Sequence, residues 1–394
     1  MIFLFIVLVT LSIIYGYIGS HIIGKLRVSM VGKVLLWLFA LACAWFPVAP
    51  VFLRYKGYEN AMVDLTAWAA YLSLGCATLM FVIYLLIDLI RMFTGLIQRV
   101  VLLFHRSSPF HADGFDREKR RFLAGSLDAG IVAGSVLLTG YGLFQARRSP
   151  AVIPVNIPFK GLHKDLDGIR IVQITDLHVG PTIKKEYVGI VTNQVMALSP
   201  DMIVVTGDLV DGSIHRLATD VAPLAGLKAP LGTFFVTGNH EYYSNAVMWI
   251  DMARRLGFDV LLNEHRIVEK GSGRLLLAGV TDYSGGRFFS HHRSSPKEAI
   301  SGAMPHHLKI LLAHQPKSIV AAEKAQFDLQ ISGHTHGGQY FPGPFLVKLS
   351  QPYVSGLHQH GRTKIYVSKG TGYWGPPLRM AVRSEITLIR LVAA

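Results

Sequence analysis

The chain has 394 residues, 51% of them hydrophobic, with 39 Lys and Arg against 25 Asp and Glu and two cysteines. This length exceeds one ordinary domain and suggests two or three. Both cysteines, Cys43 and Cys76, fall in long apolar runs, which excludes a disulfide and a thiolate metal site from the rest of the chain.

Residues 1–146 are dominated by Leu, Ile, Val, Phe and Ala. Crossing a bilayer takes about 20 residues of apolar helix, and four stretches qualify, at about 1–23, 34–53, 67–90 and 122–144. The first lacks a basic leading region and a small-residue cleavage site, so it is expected to be a retained span. The formal charge of +14 splits evenly: residues 1–150 hold 14 basic against 7 acidic side chains, and the remainder 25 against 18. Within the apolar part the basic residues mark topology. Lys25, Arg27 and Lys33 follow the first span, and Arg91, Arg99, Arg106, Arg117, Lys119, Arg120 and Arg121 lie between the third and fourth, against Arg54 and Lys56 in the middle loop. By the positive-inside rule both termini then lie outside the cytoplasm. Lys119-Arg120-Arg121-Phe122-Leu123 also resembles a twin-arginine export signal, although a plain basic helix end gives the same orientation. Asp88 and Asp128 fall near span ends and are expected to snorkel to the interface.

Residues 147–164 are expected to be a linker and 165–394 a globular α/β domain. Short β-branched runs at 169–175, 202–206, 233–237, 308–313, 327–332 and 386–392 alternate with helical patterns at 185–198 and 245–256. Strands this uniformly apolar are buried on both faces, and ligands of such sheets gather at the strands' carboxyl ends. Each of the first five runs ends in polar residues of metal-binding type. Asp176-Leu177-His178 follows the first; if the chain stays extended, the Asp and His point to one side. Gly207-Asp208 follows the second, Gly238-Asn239-His240-Glu241 the third, His314 the fourth and Gly333-His334-Thr335-His336-Gly337-Gly338 the fifth.

Two carboxylates, one amide oxygen and four imidazoles suit two divalent cations, Mn, Fe or Zn, with Asp208 as the natural bridge. Two cations about 3.5–4 Å apart clamp the attacking and leaving oxygens of a displacement at phosphorus and acidify a water. His240, left over in the ligand count, is placed to touch the phosphoryl group or protonate the leaving alkoxide.

The ordered set Asp-x-His, Gly-Asp, Gly-Asn-His-Glu, His and Gly-His-x-His resembles the calcineurin-like metallophosphoesterase superfamily over essentially all of residues 165–390. The resemblance is strongest to its membrane-linked or twin-arginine-exported bacterial branch. It implies two mixed β-sheets sandwiched between helices, here preceded by four transmembrane helices. It also implies one metal held by Asp176, His178, Asp208 and His336, a second held by Asp208, Asn239, His314 and His334, and His240 as the catalytic histidine. The expected function is hydrolysis of a phosphate ester or pyrophosphate of a lipid-linked or periplasmic substrate, at the outer face of a bacterial inner membrane. Some relatives in this branch cleave the pyrophosphate of a UDP-diacylglucosamine lipid, which implies a cytoplasmic domain instead. A non-catalytic scaffold is disfavoured by the complete ligand set.

The remaining motifs carry less. His215 and Arg379 are candidate substrate contacts, Arg379 as a partner for a phosphate oxygen. His291-His292 and His306-His307 are expected to be solvated loop residues, and His358 and His360 are no better candidates than His215. Gly370-Thr371-Gly372-Tyr373-Trp374-Gly375 matches a dinucleotide fingerprint in spacing, but Pro376-Pro377 follows where that motif opens a helix, so a loop near the metals is expected. No basic, aromatic-lined surface for nucleic acid is evident.

Overall fold

The computed structural model describes residues 2–104 and 117–394, so Arg106 of the basic loop lies outside the described residues. The chain divides into two compact units, Met1–Gly142 and Leu143–Ala394.

The first unit is helical: α1 (Ile2–Ile22), α2 (Met30–Trp45), α3 (Ala49–Tyr55), α4 (Ala61–Phe104) and α5 (Arg117–Arg147), the last running into the second unit. Among the described residues, four segments are long and apolar enough to cross a membrane: Leu4–Lys25, Met30–Tyr55, Ala61–Phe104 and Arg121–Arg147. The second of these joins α2 and α3 through a 3-10 turn at Phe46–Val48 containing Pro47, a residue that cannot continue an α-helical hydrogen-bond ladder. The third differs from the expected 67–90. At 44 residues α4 is roughly 66 Å long, about twice a hydrocarbon core, and it carries Arg91 and Arg99, which were expected in a loop. Between Arg91 and Arg99 no proline interrupts the helix, and Gly95 is the one glycine.

Asp88 and Asp128 both have side-chain partners from other helices. Lys25 Nζ donates to both carboxylate oxygens of Asp128 at 2.9 and 2.7 Å, and Tyr84 Oη donates to it at 3.2 Å. Tyr17 Oη donates to Asp88 at 2.6 Å, and His21 Nε2 lies 3.0 Å from the same carboxylate. Tyr17, His21 and Lys25 recur every fourth residue, so one helical face supplies the partners of both acids. Pairing of this kind is what makes an ionisable group tolerable between apolar helices.

The second unit holds twelve strands: β1 (Ala151–Phe159), β2 (Arg170–Ile174), β3 (Met202–Thr206), β4 (Thr233–Val236), β5 (Asp259–Val260), β6 (Glu264–Lys270), β7 (Gly273–Gly279), β8 (Leu308–Leu312), β9 (Leu329–Ser332), β10 (Gly356–His360), β11 (Thr363–Val367) and β12 (Glu385–Ala393). Helices α6 (Lys185–Ala197), α7 (Ile214–Val221), α8 (Asn239–Tyr243), α9 (Ala246–Arg255), α10 (Pro296–Ala299), α11 (Ile319–Lys324) and α12 (Gly343–Val347) connect them. The strands form two six-stranded mixed sheets, ordered β1-β12-β2-β3-β4-β5 and β10-β11-β9-β8-β7-β6. In the first, β2 to β5 run parallel and β12 is antiparallel to β2; in the second, β7, β8, β9 and β11 run parallel.

The apolar runs are continuous because each sheet is covered twice. Ile171, Val204, Phe234, Leu277, Ile310 and Ile331 fill the layer between the sheets. Their neighbours Val172, Val205 and Phe235 face the side of α6, α7 and α9, while Leu276 and Leu311 face α10 and α11. This two-sided burial produces a β/β core flanked by helices.

Residues 147–164, expected to be a linker, contain β1, which pairs in parallel with β12 over nine positions. Pro154 and Pro158 disguise it in sequence, since proline lacks the N–H that a central strand needs. They are accommodated because β1 is an edge strand.

Candidate metal centre

Both sheets deliver their parallel strands' carboxyl ends to one place. Asp176 and His178 follow β2, Asp208 follows β3, Asn239 opens α8 after β4, His314 follows β8, and His334 and His336 follow β9. Three overlapping groups of donor atoms form there: Asp176, His178 and His336; His178, Asp208 and His240; Asp208, His314 and His334. Asp208 is common to two of them. Its Oδ2 lies 3.1 Å from His314 Nε2, 3.8 Å from His178 Nε2 and 3.9 Å from His240 Nε2.

Asp176 and His178 are not extended. Asp176, His178, Asp208, His334 and His336 have φ of 53°, 52°, 51°, 72° and 51°, the left-handed region that costs a non-glycine residue about 1–2 kcal/mol. Five of the seven expected ligands share this strain. Local hydrogen bonds hold it: His334 N donates to both Asp176 oxygens at 3.0 and 2.9 Å, His240 N to Asp208 Oδ1 at 2.8 Å, and Thr175 Oγ1 to Asp176 Oδ2 at 2.8 Å. The turns also need glycine at close approaches. A Cβ on Gly238 would collide with Asp208 Oδ1, and one on Gly333 with Thr175 Oγ1 and Asp176 Oδ2.

Several observations fit a cation pair. Asn239 Oδ1 is buried with no hydrogen-bond partner, an orphan that costs free energy unless something electropositive meets it. His178 Nε2 faces His336 Nε2 at 3.0 Å, and His334 Nδ1 faces His314 Nε2 at 3.2 Å; each pair of lone-pair-bearing nitrogens needs a shared proton or a cation. The far ring nitrogens are tied back as metal ligands require: His314 Nδ1 donates to Thr206 O at 2.8 Å, and His178 Nδ1 lies 3.1 Å from Asp211 Oδ2. Burial, then the charge of His314, pushes His334 down to about 3, and burial with His178 beside it pushes His336 well below the usual imidazole range. Both rings are therefore neutral and offer lone pairs. Burial and the neighbouring Asp208 carboxylate raise Asp176, the repulsion that a cation between them would relieve.

Two residues without an expected role complete the site. Asp211, in Gly-Asp-Leu-Val-Asp-Gly, holds both His178 and His240 through their Nδ1 atoms. Burial opposes the charge of His240, but Asp211 and Asp208 prevail and raise it to about 9. Glu241, fully buried, accepts from the backbone N–H groups of Asp208, Leu209 and Gly238 at 3.0, 2.7 and 2.6 Å, locking the β3 turn against the β4 turn. Its three-residue offset from Gly238, within Gly-Asn-His-Glu, is the spacing of a capping residue, and this signal was available in sequence.

Arg379, expected as a substrate contact, is buried with its donors turned to backbone carbonyls. It is 1% exposed, and its Nη1 donates to His336 O at 2.9 Å and Lys369 O at 2.8 Å while Nε donates to Gly372 O at 3.2 Å. With Nη2 3.2 Å from His336 Nδ1, it clamps the glycine-rich loop onto the His336 turn. That loop is a brace and opens no helix: Thr371 N and Gly372 N donate to Thr175 O and Asp176 O at 2.8 and 2.9 Å. His215 is exposed on α7, outside the three donor groups. His292 is buried rather than solvated, with Tyr242 Oη 2.8 Å from its Nδ1.

The sequence profile of the family described as Calcineurin-like phosphoesterase matches residues 169–338. The chain is 37% identical over 268 residues to a Danio rerio protein named transmembrane protein with metallophosphoesterase domain, covering 66% of this chain and 61% of that one. It thus spans about three fifths of the length of this relative. An uncharacterized metallophosphoesterase of Helicobacter pylori is 38% identical over 304 residues, covering 74% of this chain and 79% of that protein. The Bacillus subtilis protein YkuE, also an uncharacterized metallophosphoesterase, is 31% identical over 293 residues, covering 69% and 97%.

Proposed function

Because the chain belongs to the calcineurin-like metallophosphoesterase family, we propose that it hydrolyses a phosphate ester or pyrophosphate with two divalent cations held by Asp176, His178, Asp208, Asn239, His314, His334 and His336. The observation that carries this reading is the convergence of donors from both sheets around the partnerless Asn239 Oδ1. Bound cations would supply Lewis acidity toward a phosphoryl oxygen and acidify a water. The protein's own part is positioning. Asp208 lies where both halves of the donor set meet, and its carboxylate is kept ionised by His314 and His240 against the pull of burial. Asp211 orients His240, whose Nε2 would carry the proton to the leaving oxygen or hold a phosphoryl oxygen.

Chelation tests the cation dependence. Dialysis of the full chain against a strong chelator should abolish hydrolysis of a chromogenic phosphodiester, and adding back Mn, Fe or Zn should restore it. Undiminished turnover by protein shown by mass spectrometry to be metal-free would reject the reading.

The finer proposal is a lipid-linked or periplasmic phosphate substrate met at the outer face of a bacterial inner membrane. Four candidate spans support it, as does the sequence excess of basic residues around the end of the first span and ahead of the fourth, Lys25, Arg27 and Lys33 and then Arg117, Lys119, Arg120 and Arg121. A C-terminal reporter that is active only outside the cytoplasm is expected to be active. Activity of a cytoplasm-only reporter instead would overturn the orientation and favour a cytoplasmic nucleotide-lipid substrate.

A further inference from the structure

The candidate metal-binding turn is bordered by apolar side chains that the described residues leave exposed. The chain leaving His336 turns at Gly338, where a Cβ would strike Pro344, so α12 packs directly on the turn. Yet α12 and its flanks present Phe341, Phe345, Leu346 and Leu349 at 44%, 63%, 58% and 85% exposure. Phe341 and Phe345 stack edge to face at 5.8 Å, forming one apolar lip. On the other bank Trp374 and Tyr243, both more than half exposed, pack their rings against His240 at 5.6 and 5.2 Å.

The two banks are held as one piece. Gln339 accepts from Trp374 N at 2.9 Å and donates to Trp374 O and Pro376 O at 3.0 and 2.8 Å. A soluble domain gains nothing from keeping large apolar side chains in water around a polar site, and such patches mark an interaction surface.

We propose that the segment 341–349 is a membrane-docking lip that inserts into the headgroup layer of an anionic bilayer beside the metal centre. The occupant follows from the chain itself. Its four candidate spans keep a bilayer at hand, and only residues 148–150 separate α5 from β1. Exposed Lys348 supplies positive charge within the lip, and exposed Arg287 supplies it next to Phe288, which packs on Tyr243 of the other bank at 5.9 Å. Aromatic and aliphatic side chains interleaved with a basic residue are the composition of an interfacial anchor. The lip does not depend on the enzymatic reading, although it would bring the metal centre to lipid headgroups.

The test uses the full chain, carrying Cys43→Ala and Cys76→Ala, in nanodiscs of phosphatidylglycerol and phosphatidylcholine. A fluorophore is attached at Phe345→Cys, Leu349→Cys or, as a control on an exposed polar turn, Ser301→Cys. Quenching by nitroxide-labelled lipid should be roughly fivefold stronger at 345 and 349 than at 301, with iodide showing the reverse order. Equal iodide quenching at all three sites would overturn the proposal. So would protection from iodide without lipid quenching, which would mean that a second copy or another protein covers the lip. Hydrolysis of a soluble phosphodiester by the same samples reports the enzymatic reading separately. The variant F345S/L346S/L349S should keep that rate within about twofold while nitroxide-lipid quenching of a fluorophore at Phe341→Cys is lost.

Discussion

Asp208→Asn is expected to lower phosphodiester hydrolysis by on the order of 10³-fold and to leave the folded protein with less than its full complement of metal. The change is nearly isosteric. An asparagine oxygen can still accept from His240 N, as Asp208 Oδ1 does at 2.8 Å, so the β3 turn should survive. What disappears is the negative charge at Oδ2, the atom 3.1 Å from His314 Nε2 and 3.8 Å from His178 Nε2. An amide offers two cations no anionic bridge, and an NH₂ turned toward them would repel. Metal content by mass spectrometry, turnover, and circular dichroism as a folding control together decide the matter. A folded variant that keeps two equivalents of metal and near-native turnover would remove Asp208 from its assigned place.

The second large effect is expected at His240, and it should depend on the leaving group. His240→Ala should cost about 10³-fold with an alkyl phosphodiester but only roughly tenfold with a nitrophenyl one, because nitrophenolate departs without a proton whereas an alkoxide does not. Asp211→Asn should show the same ordering with a smaller loss, about 10- to 100-fold on the alkyl substrate. Asp211 acts by holding the Nδ1 atoms of His240 and His178 and touches no reacting group. Unchanged rates in His240→Ala with both substrates would exclude His240 from the chemistry; equal losses with both would make it a phosphoryl contact rather than an acid.

The donor set was readable in sequence because each member closes a short apolar strand, and strand ends in a two-sided sheet are where polar side chains can converge. Each expected strand, at 169–175, 202–206, 233–237, 308–313, 327–332 and 386–392, has a counterpart in β2, β3, β4, β8, β9 and β12. Others were hidden by composition: β1 by its two prolines, and β6 by its charged run Glu-His-Arg-Ile-Val-Glu-Lys. Both are edge strands, where one open side relaxes the demand for apolar residues and for every N–H.

Arg379 shows most plainly where local reading ends. Beside a glycine-rich loop an arginine has the chemistry of a phosphate ligand, and only the fold reveals that backbone carbonyls from 336, 369 and 372 have consumed its donors. His292 is the converse, a histidine in a polar stretch that packs inside against Tyr242.

By itself, the sequence determined the types of the candidate donors, their order along the chain, the two-part organisation and four candidate spans, because these depend on composition and on short-range periodicity. Tertiary structure alone decided that donors from two separate sheets share one centre, that five of them sit in left-handed backbone, that Asp211 serves two histidines, and that an apolar lip borders the site. These depend on which distant strand ends the packing of two twisted sheets brings within a few ångströms, and spacing along a chain does not encode that distance.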